Sequence, residues 1–124
     1  MSAAALLLGS TASIAHAQPA PATCDYELTP PTVVNVSGTN VVTATVSPRA
    51  CDGAQTYQTV ACIQMAGGPG AGQCARGNGL LPAQVYFQPY RPGATYTSTG
   101  RGCASAGNPP HKTCIETGPL TATL

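Results

Sequence analysis

The chain has 124 residues, of which only 7% are charged, and its five Lys/Arg and four Asp/Glu leave a net charge of +1. This length predicts a single domain, and the charge excludes binding of nucleic acid through a basic field, which needs clustered Lys/Arg. No apolar run approaches the roughly 20 residues that a membrane-spanning helix requires, so we predict no transmembrane segment.

The first residues predict a cleaved export signal. An apolar stretch over 3–8 is followed by small and polar residues up to Ala15-His16-Ala17, the small-x-small pattern that signal peptidases cut. Because no Lys or Arg precedes the apolar stretch, we expect the true translation start to lie upstream of Met1. We predict a secreted or cell-wall protein with a signal peptide over 1–17, a flexible mature N-terminus over 18–23 and one domain over 24–124.

All six cysteines lie in the predicted mature chain, and an even count in an exported domain predicts three disulfides. They are Cys24, Cys51, Cys62, Cys74, Cys103 and Cys114. Glycine- and proline-containing segments favour the pairs Cys62–Cys74 and Cys103–Cys114, which leaves Cys24 with Cys51, although the sequence alone leaves other pairings open. We predict no metal site, because the chain has no Cys-x-x-Cys pair and the mature part has a single histidine.

Strands are predicted along the mature chain, and no helix, because Gly and Pro interrupt it repeatedly. Their predicted bounds are 32–36, 41–46, 56–65, 73–75, 83–88, 95–99 and 114–124. About seven short strands with closely spaced turns predict an all-β, antiparallel immunoglobulin-like β-sandwich, stapled by disulfides.

The alternation of apolar and polar residues predicts which side chains face the core. In the second strand Val42, Ala44 and Val46 should be buried, with Thr43 and Thr45 in solvent. Two further strands give longer sets. The predicted inward residues are Ala83, Val85 and Phe87, and the residues that should share one face are Tyr57, Thr59, Ala61, Ile63 and Met65.

One short segment resembles the turn before a late strand of fibronectin type III domains. Pro92, Gly93 and Tyr96 match the Pro-Gly-Thr-x-Tyr pattern of that turn, with Ala94 in place of threonine, whereas the tryptophan of an early fibronectin strand has no counterpart. The resemblance implies a tyrosine corner, in which the buried Tyr96 bonds through its hydroxyl to the backbone a few residues upstream.

The composition and the cysteine layout resemble a second group, the neocarzinostatin-like actinobacterial apoproteins. More generally, the Ala/Gly/Pro/Thr bias with a cleaved leader is similar to small exported mycobacterial and related actinobacterial proteins. Cys62/Cys74 and Cys103/Cys114 fall at places comparable with the two disulfides of the neocarzinostatin group. That resemblance implies a cleft for an apolar small molecule between the long hairpins, lined by glycine and aromatic residues.

No set of residues predicts an enzyme or a cofactor. His111 is the only histidine of the predicted mature chain, and none of the serines lies in a Gly-x-Ser-x-Gly elbow. Asp25 and Asp52 each follow a cysteine, so a Cys24–Cys51 bond would bring these carboxylates near each other. Such a pair could bind a cation, but we interpret it as a chance pairing. The glycine-rich 67–72 lacks the Gly-Lys-Ser/Thr ending of a phosphate-binding loop.

A binding surface is the remaining possibility. Tyr86 should face solvent on its strand, with Tyr90 and Arg91 just beyond, and tyrosine and arginine are favoured at interfaces. We therefore predict a monomeric, non-enzymatic binding or structural module whose partner is an extracellular protein, a glycan or a small apolar ligand. The alternatives are a small-molecule carrier and a protease inhibitor that presents Arg76 beside a disulfide-closed loop.

Overall fold

The computed structural model describes residues 23–68, 70 and 72–124, which form eight β-strands and no helix. This confirms the all-β class. The strands are β1 (Thr23–Leu28), β2 (Thr32–Val36), β3 (Thr39–Asp52), β4 (Gln55–Met65), β5 (Gln73–Asn78), β6 (Ala83–Phe87), β7 (Thr95–Ala106) and β8 (His111–Thr123). The predicted signal peptide, and all of the predicted mature N-terminus except Thr23, lie outside the described residues. Among the described residues, no helix is long and apolar enough to cross a membrane.

The first sheet has β3 at its centre, with β1, β2 and β6 paired to it in antiparallel fashion. β1 pairs with the second half of β3 and β2 with the first half, so the two together form one edge of the sheet. Pro30 and Pro31 separate them because proline has no N–H to donate to the ladder. β6 lies on the other edge, since Val42 and Thr43 have partners in both β2 and β6.

The second sheet is also antiparallel and has the strand order β5-β4-β7-β8. Two hairpins, β4–β5 and β7–β8, build it, and β4 and β7 pair along most of their length in the middle of the sheet. β7 and β8 are both longer than the sequence predicts, because β7 continues past Thr99 to Ala106 and β8 begins at His111. The second sheet is therefore the larger surface of the domain.

The two sheets pack face to face, which confirms the predicted sandwich. Val42, Ala44 and Val46 are completely buried, as the alternation along β3 predicts. The other buried members of the core are Leu28, Ala61, Ile63, Ala83, Val85, Phe87 and Tyr96. Ala83, Val85 and Phe87 are thus also placed as predicted.

Two of the predicted side-chain positions are wrong. Thr43 is buried rather than exposed, and its hydroxyl donates a hydrogen bond to the Val85 carbonyl oxygen at 2.9 Å. In β4 the register shifts between Thr56 and Gln58, and the extra residue of this β-bulge is Tyr57. The bulge turns Tyr57 away from the core and buries Thr56 instead.

All six cysteines are bonded, in the three pairs that the loop segments favour. Each bond joins residues that lie directly opposite each other on neighbouring strands: β1 with β3, β4 with β5, and β7 with β8. None of the three crosses between the sheets. Apolar packing, rather than sulfur, therefore holds the two sheets together, while the disulfides fix strand register within each sheet.

Candidate ligand-binding site

The outer face of the second sheet carries a row of side chains, three of them charged, that crosses all four strands. Val60 of β4 lies opposite Arg76 of β5 on one side and opposite Arg101 of β7 on the other. Arg101 in turn lies opposite Glu116 of β8. Because residues directly opposite in antiparallel strands point to the same face, these four side chains form one row on the side remote from the core.

An open surface cleft with a volume of about 780 Å³ lies over this row, and we call it the outer cleft. Its volume is within the range of roughly 300–1,000 Å³ that is usual for small-molecule sites. The lining comprises Gln58, Val60 and Cys62 of β4, Cys74, Ala75 and Arg76 of β5, Thr99, Gly100 and Arg101 of β7, and Glu116, Thr117, Gly118 and Pro119 of β8. The cleft therefore extends across both hairpins of the sheet.

The middle of the outer cleft is apolar. Val60 is half-buried, and the Cys62–Cys74 disulfide lies beside it, with Cys62 also opposite Thr99 of β7. On β8 the rim is formed by Gly118 and Pro119, an extra pair of residues at a register shift opposite Thr99. Bulges of this kind bend a strand locally and are common beside binding sites. Here the bulge shapes one wall of the cleft.

The charged groups of the outer cleft lie around this apolar centre. Arg76, Arg101 and Glu116 are all exposed. In the part of the chain that the structure describes, the single ion pair joins Arg49 and Glu27, whose charged atoms are 3.8 Å apart on the first sheet. Both cleft arginines are thus without a carboxylate within ion-pair distance in that part, and their N–H donors face solvent.

Tyr57 lies on the same outer face, beside the Cys103–Cys114 disulfide. Its hydroxyl lies 4.0 Å from Sγ of Cys114, in the Cys103–Cys114 disulfide, and Nζ of Lys112 lies 5.5 Å from the centre of its ring. An ammonium at this distance from an aromatic ring is attracted by the ring's negative face. The bulge in β4 is the reason why this tyrosine is on the outer face rather than in the core.

The candidate residues from the sequence are spread over the molecule. Tyr86 is exposed on the outer face of the first sheet, opposite Thr43, whereas Arg76 lies on the second sheet. Arg76 belongs to a strand, since β5 extends to Asn78, and this placement gives the inhibitor hypothesis no support. Tyr90 is half-buried with its ring centre 6.5 Å from that of Tyr96.

Tyr96 and Arg91 form a local structural unit at the start of β7. Tyr96 is fully buried, and its hydroxyl accepts a hydrogen bond from the backbone N–H of Arg91 at 2.8 Å. The Tyr96 ring packs edge-on against Phe87, with ring centres 5.6 Å apart. This is the geometry expected of a tyrosine corner, and it leaves only the exposed Arg91 side chain available to a partner.

The other titratable residues of the sequence analysis lie outside the cleft. His111 is exposed at the start of β8, opposite Ala106. Asp25 lies opposite Ala50 and Asp52 opposite Thr23, on either side of the Cys24–Cys51 bond. Within residues 23–68, 70 and 72–124, no group of three or more His, Cys, Asp and Glu could hold a metal ion.

Sequence reasoning missed three of the four residues in the row, namely Val60, Arg101 and Glu116. Arg101 was hidden because the predicted strand ends at Thr99. The continued alternation of outward polar residues through Thr97, Thr99 and Arg101 is the signal that extends this strand. The row itself depends on register between strands that are distant in the chain, which the local pattern does not specify.

Comparison with family models, with curated proteins and with solved structures finds no match to this chain. The resemblances to fibronectin type III domains, to the neocarzinostatin group and to exported actinobacterial proteins therefore stay predictions.

Proposed function

We propose that this protein is a non-enzymatic binding module that works outside the cytoplasm, and that the outer cleft is its binding site. The observation that carries the proposal is the cleft itself. It is a concave surface with an apolar centre, and the charged and polar side chains around that centre are of the kind that fix the orientation of a ligand. It also lies on paired strands, which hold its side chains in fixed positions.

The disulfides support a location in an oxidising compartment. Three bonds in a chain of 124 residues are typical of secreted and cell-envelope proteins, and unusual where thiols are kept reduced. Two of them, Cys62–Cys74 and Cys103–Cys114, lie in the sheet that carries the cleft. Each limits opening of its hairpin, so the cleft is organised before a ligand arrives, which lowers the entropic cost of binding.

The size of the cleft favours a small molecule over a large protein surface. A carrier is therefore the form of binding module that the geometry supports best, in line with the cleft that the neocarzinostatin resemblance implies. The lining agrees with that expectation in part, since Gly100 and Gly118 contribute to it but no aromatic side chain does. The apolar contact comes instead from Val60, Pro119 and the Cys62–Cys74 disulfide.

The test is native mass spectrometry of the protein isolated from the culture medium of its own organism. We expect the wild-type protein to retain a low-mass, non-covalent ligand. Thr99→Trp should abolish retention, because position 99 is exposed on the lining between Cys62 and the β8 bulge, where a large ring fills the cleft. Gln84→Trp is the matched control, since Gln84 is exposed on the outer face of the first sheet.

Two results would refute this proposal. A wild-type protein that carries no low-mass ligand would remove the carrier function, and a ligand that survives Thr99→Trp but is lost on Gln84→Trp would place binding on the opposite sheet. Co-purification of an extracellular protein or glycan, lost on Tyr86→Ala, would favour the surface around Tyr86 instead.

A further inference from the structure

The distribution of charge on the protein indicates the chemical class of the ligand. The chain has only five Lys/Arg, and three of them lie on the outer face of the second sheet: Arg76, Arg101 and Lys112. Of the four acidic residues only Glu116 lines the cleft. In a protein with so few charges, this concentration makes the face electropositive and attracts anions.

The two cleft arginines are placed to act on one ligand. They lie on either side of Val60, in strands that flank β4. Neighbouring strands are about 4.8 Å apart, so the two backbones are separated by roughly 10 Å. Two long side chains with this separation can converge on a group above Val60, and guanidinium groups bind carboxylate, sulfonate or phosphate oxygens with paired N–H donors.

Glu116 lies opposite Arg101 yet is not within ion-pair distance of it among the described contacts. At this separation the N–H donors of Arg101 are available to an incoming anion, with which the nearby Glu116 carboxylate competes. The apolar centre, formed by Val60 and the Cys62–Cys74 disulfide, provides a surface for a hydrocarbon body.

We propose that the outer cleft binds a small amphipathic anion, with its apolar body on Val60 and the Cys62–Cys74 disulfide and its acidic group between Arg76 and Arg101. This inference rests on the proposed function and specifies its ligand class. It differs from binding of a neutral apolar molecule, for which the two guanidinium groups would only add a desolvation cost.

The test uses a matched pair of probes, 2-naphthoate and 2-naphthamide, which share a ring system and differ in charge. Each is titrated into the disulfide-bonded, isotope-labelled full chain, and backbone amide shifts are followed by NMR. We expect both to shift residues around Val60, with the acid bound about tenfold more tightly, the gain of one or two charge-assisted hydrogen bonds at an exposed site. The preference should shrink as salt is added.

Substitutions show whether naphthoate affinity depends on the cleft arginines or only on the net charge of the protein. Arg76→Gln and Arg101→Gln should each weaken naphthoate binding by about threefold to tenfold and leave naphthamide binding unchanged, a range expected for exposed charged partners. Glu116→Gln should strengthen naphthoate binding, because it removes the acidic group of the lining. Arg91→Gln is the control, since it removes the same charge from an exposed side chain that is not part of the cleft lining.

The outcomes distinguish the two proposals. Equal affinity for the acid and the amide, with shifts centred on Val60, would overturn the anion preference while the cleft remains a binding site. A loss with Arg91→Gln as large as that with Arg76→Gln would also overturn it, because the effect would then follow net charge. Shifts by naphthoate only on residues of the first sheet would overturn both.

Discussion

Gly102 allows Tyr26 to enter the core, and replacing this glycine tests how the sheets fit together. Gly102 is in β7, and a methyl group at this position would overlap the ring of Tyr26 from β1. Tyr26 cannot easily move away, because its ring packs against the core and its hydroxyl bonds to Oγ1 of Thr56 at 3.0 Å. We therefore expect Gly102→Ala to separate β1 from the second sheet.

The expected change in the free energy of unfolding combines two destabilising effects and one stabilising effect. Overpacking of a close-packed core costs about 1–3 kcal/mol, and loss of the Tyr26–Thr56 hydrogen bond adds about 1 kcal/mol. Alanine recovers about 0.5–1 kcal/mol, since glycine is the more flexible residue in the unfolded chain. The net prediction for Gly102→Ala is a destabilisation of about 2 kcal/mol, which lowers Tm by roughly 10 °C in a domain of this size.

Guanidinium and thermal unfolding of the disulfide-bonded protein would measure this, with tyrosine fluorescence and circular dichroism as probes because the chain has no tryptophan. A double-mutant cycle isolates the contact: in a Tyr26→Ala background, Gly102→Ala should cost at least about 1 kcal/mol less. An unfolding free energy for Gly102→Ala equal to that of the wild type would refute the reasoning. The same loss in both backgrounds would also contradict it.

Three further predictions concern stability. Tyr96→Phe should lower the free energy of unfolding by about 1–3 kcal/mol, because it leaves the backbone N–H of Arg91 without its hydrogen-bond partner. Chemical denaturation measures this, and an unchanged midpoint would contradict the tyrosine corner. Replacing Cys62 and Cys74 together by alanine should lower the free energy of unfolding by about 3 kcal/mol, because the unfolded chain regains the conformational entropy that the bond removes. Calorimetry that finds no loss of stability would show that the bond is dispensable. Gly77→Ala should lower Tm, since its methyl would meet the Pro82 carbonyl oxygen at 2.7 Å, whereas an unchanged Tm would mean that the loop yields freely.

Most strands could be located from the sequence because their alternation is local. Val42, Ala44 and Val46 repeat every second residue, and this period alone places them on one face. The extension of β3 to Asp52 is less visible, since Pro48 is unfavourable in a strand. It is tolerated because the register with β1 shifts by one residue at this point, next to Tyr26. The partner strand, rather than the sequence of β3, therefore determines this end.

β1 shows the same dependence on a partner. No strand is predicted there, although Cys24, Tyr26 and Leu28 alternate with exposed residues in the structure. The segment is short and contains two acidic residues, so its strand propensity is low. Pairing with β3 and the Cys24–Cys51 bond supply what the local sequence lacks.

For the candidate site, the sequence indicates a single residue but not the residues that lie beside it. Arg76 is recognisable as an exposed cation near a disulfide, but its neighbours Val60 and Arg101 are 16 and 25 positions away in the numbering of the chain. Tyr57 shows the opposite failure, because strict alternation places it in the core and a single bulge moves it to the outer face. Bulges arise from the fit between two strands, so a pattern along one strand does not reveal them.

The amino-acid sequence by itself determined the all-β class, most of the strands and the preferred cysteine pairs. These depend on interactions between residues close in the chain: the two-residue period of a strand, the breaks at Gly and Pro, and the short loops that a disulfide can close. The tertiary structure alone decided that Arg76, Val60, Arg101 and Glu116 form one row. Their register is set when the inner faces of two sheets pack without voids, and core packing is a property of the whole chain.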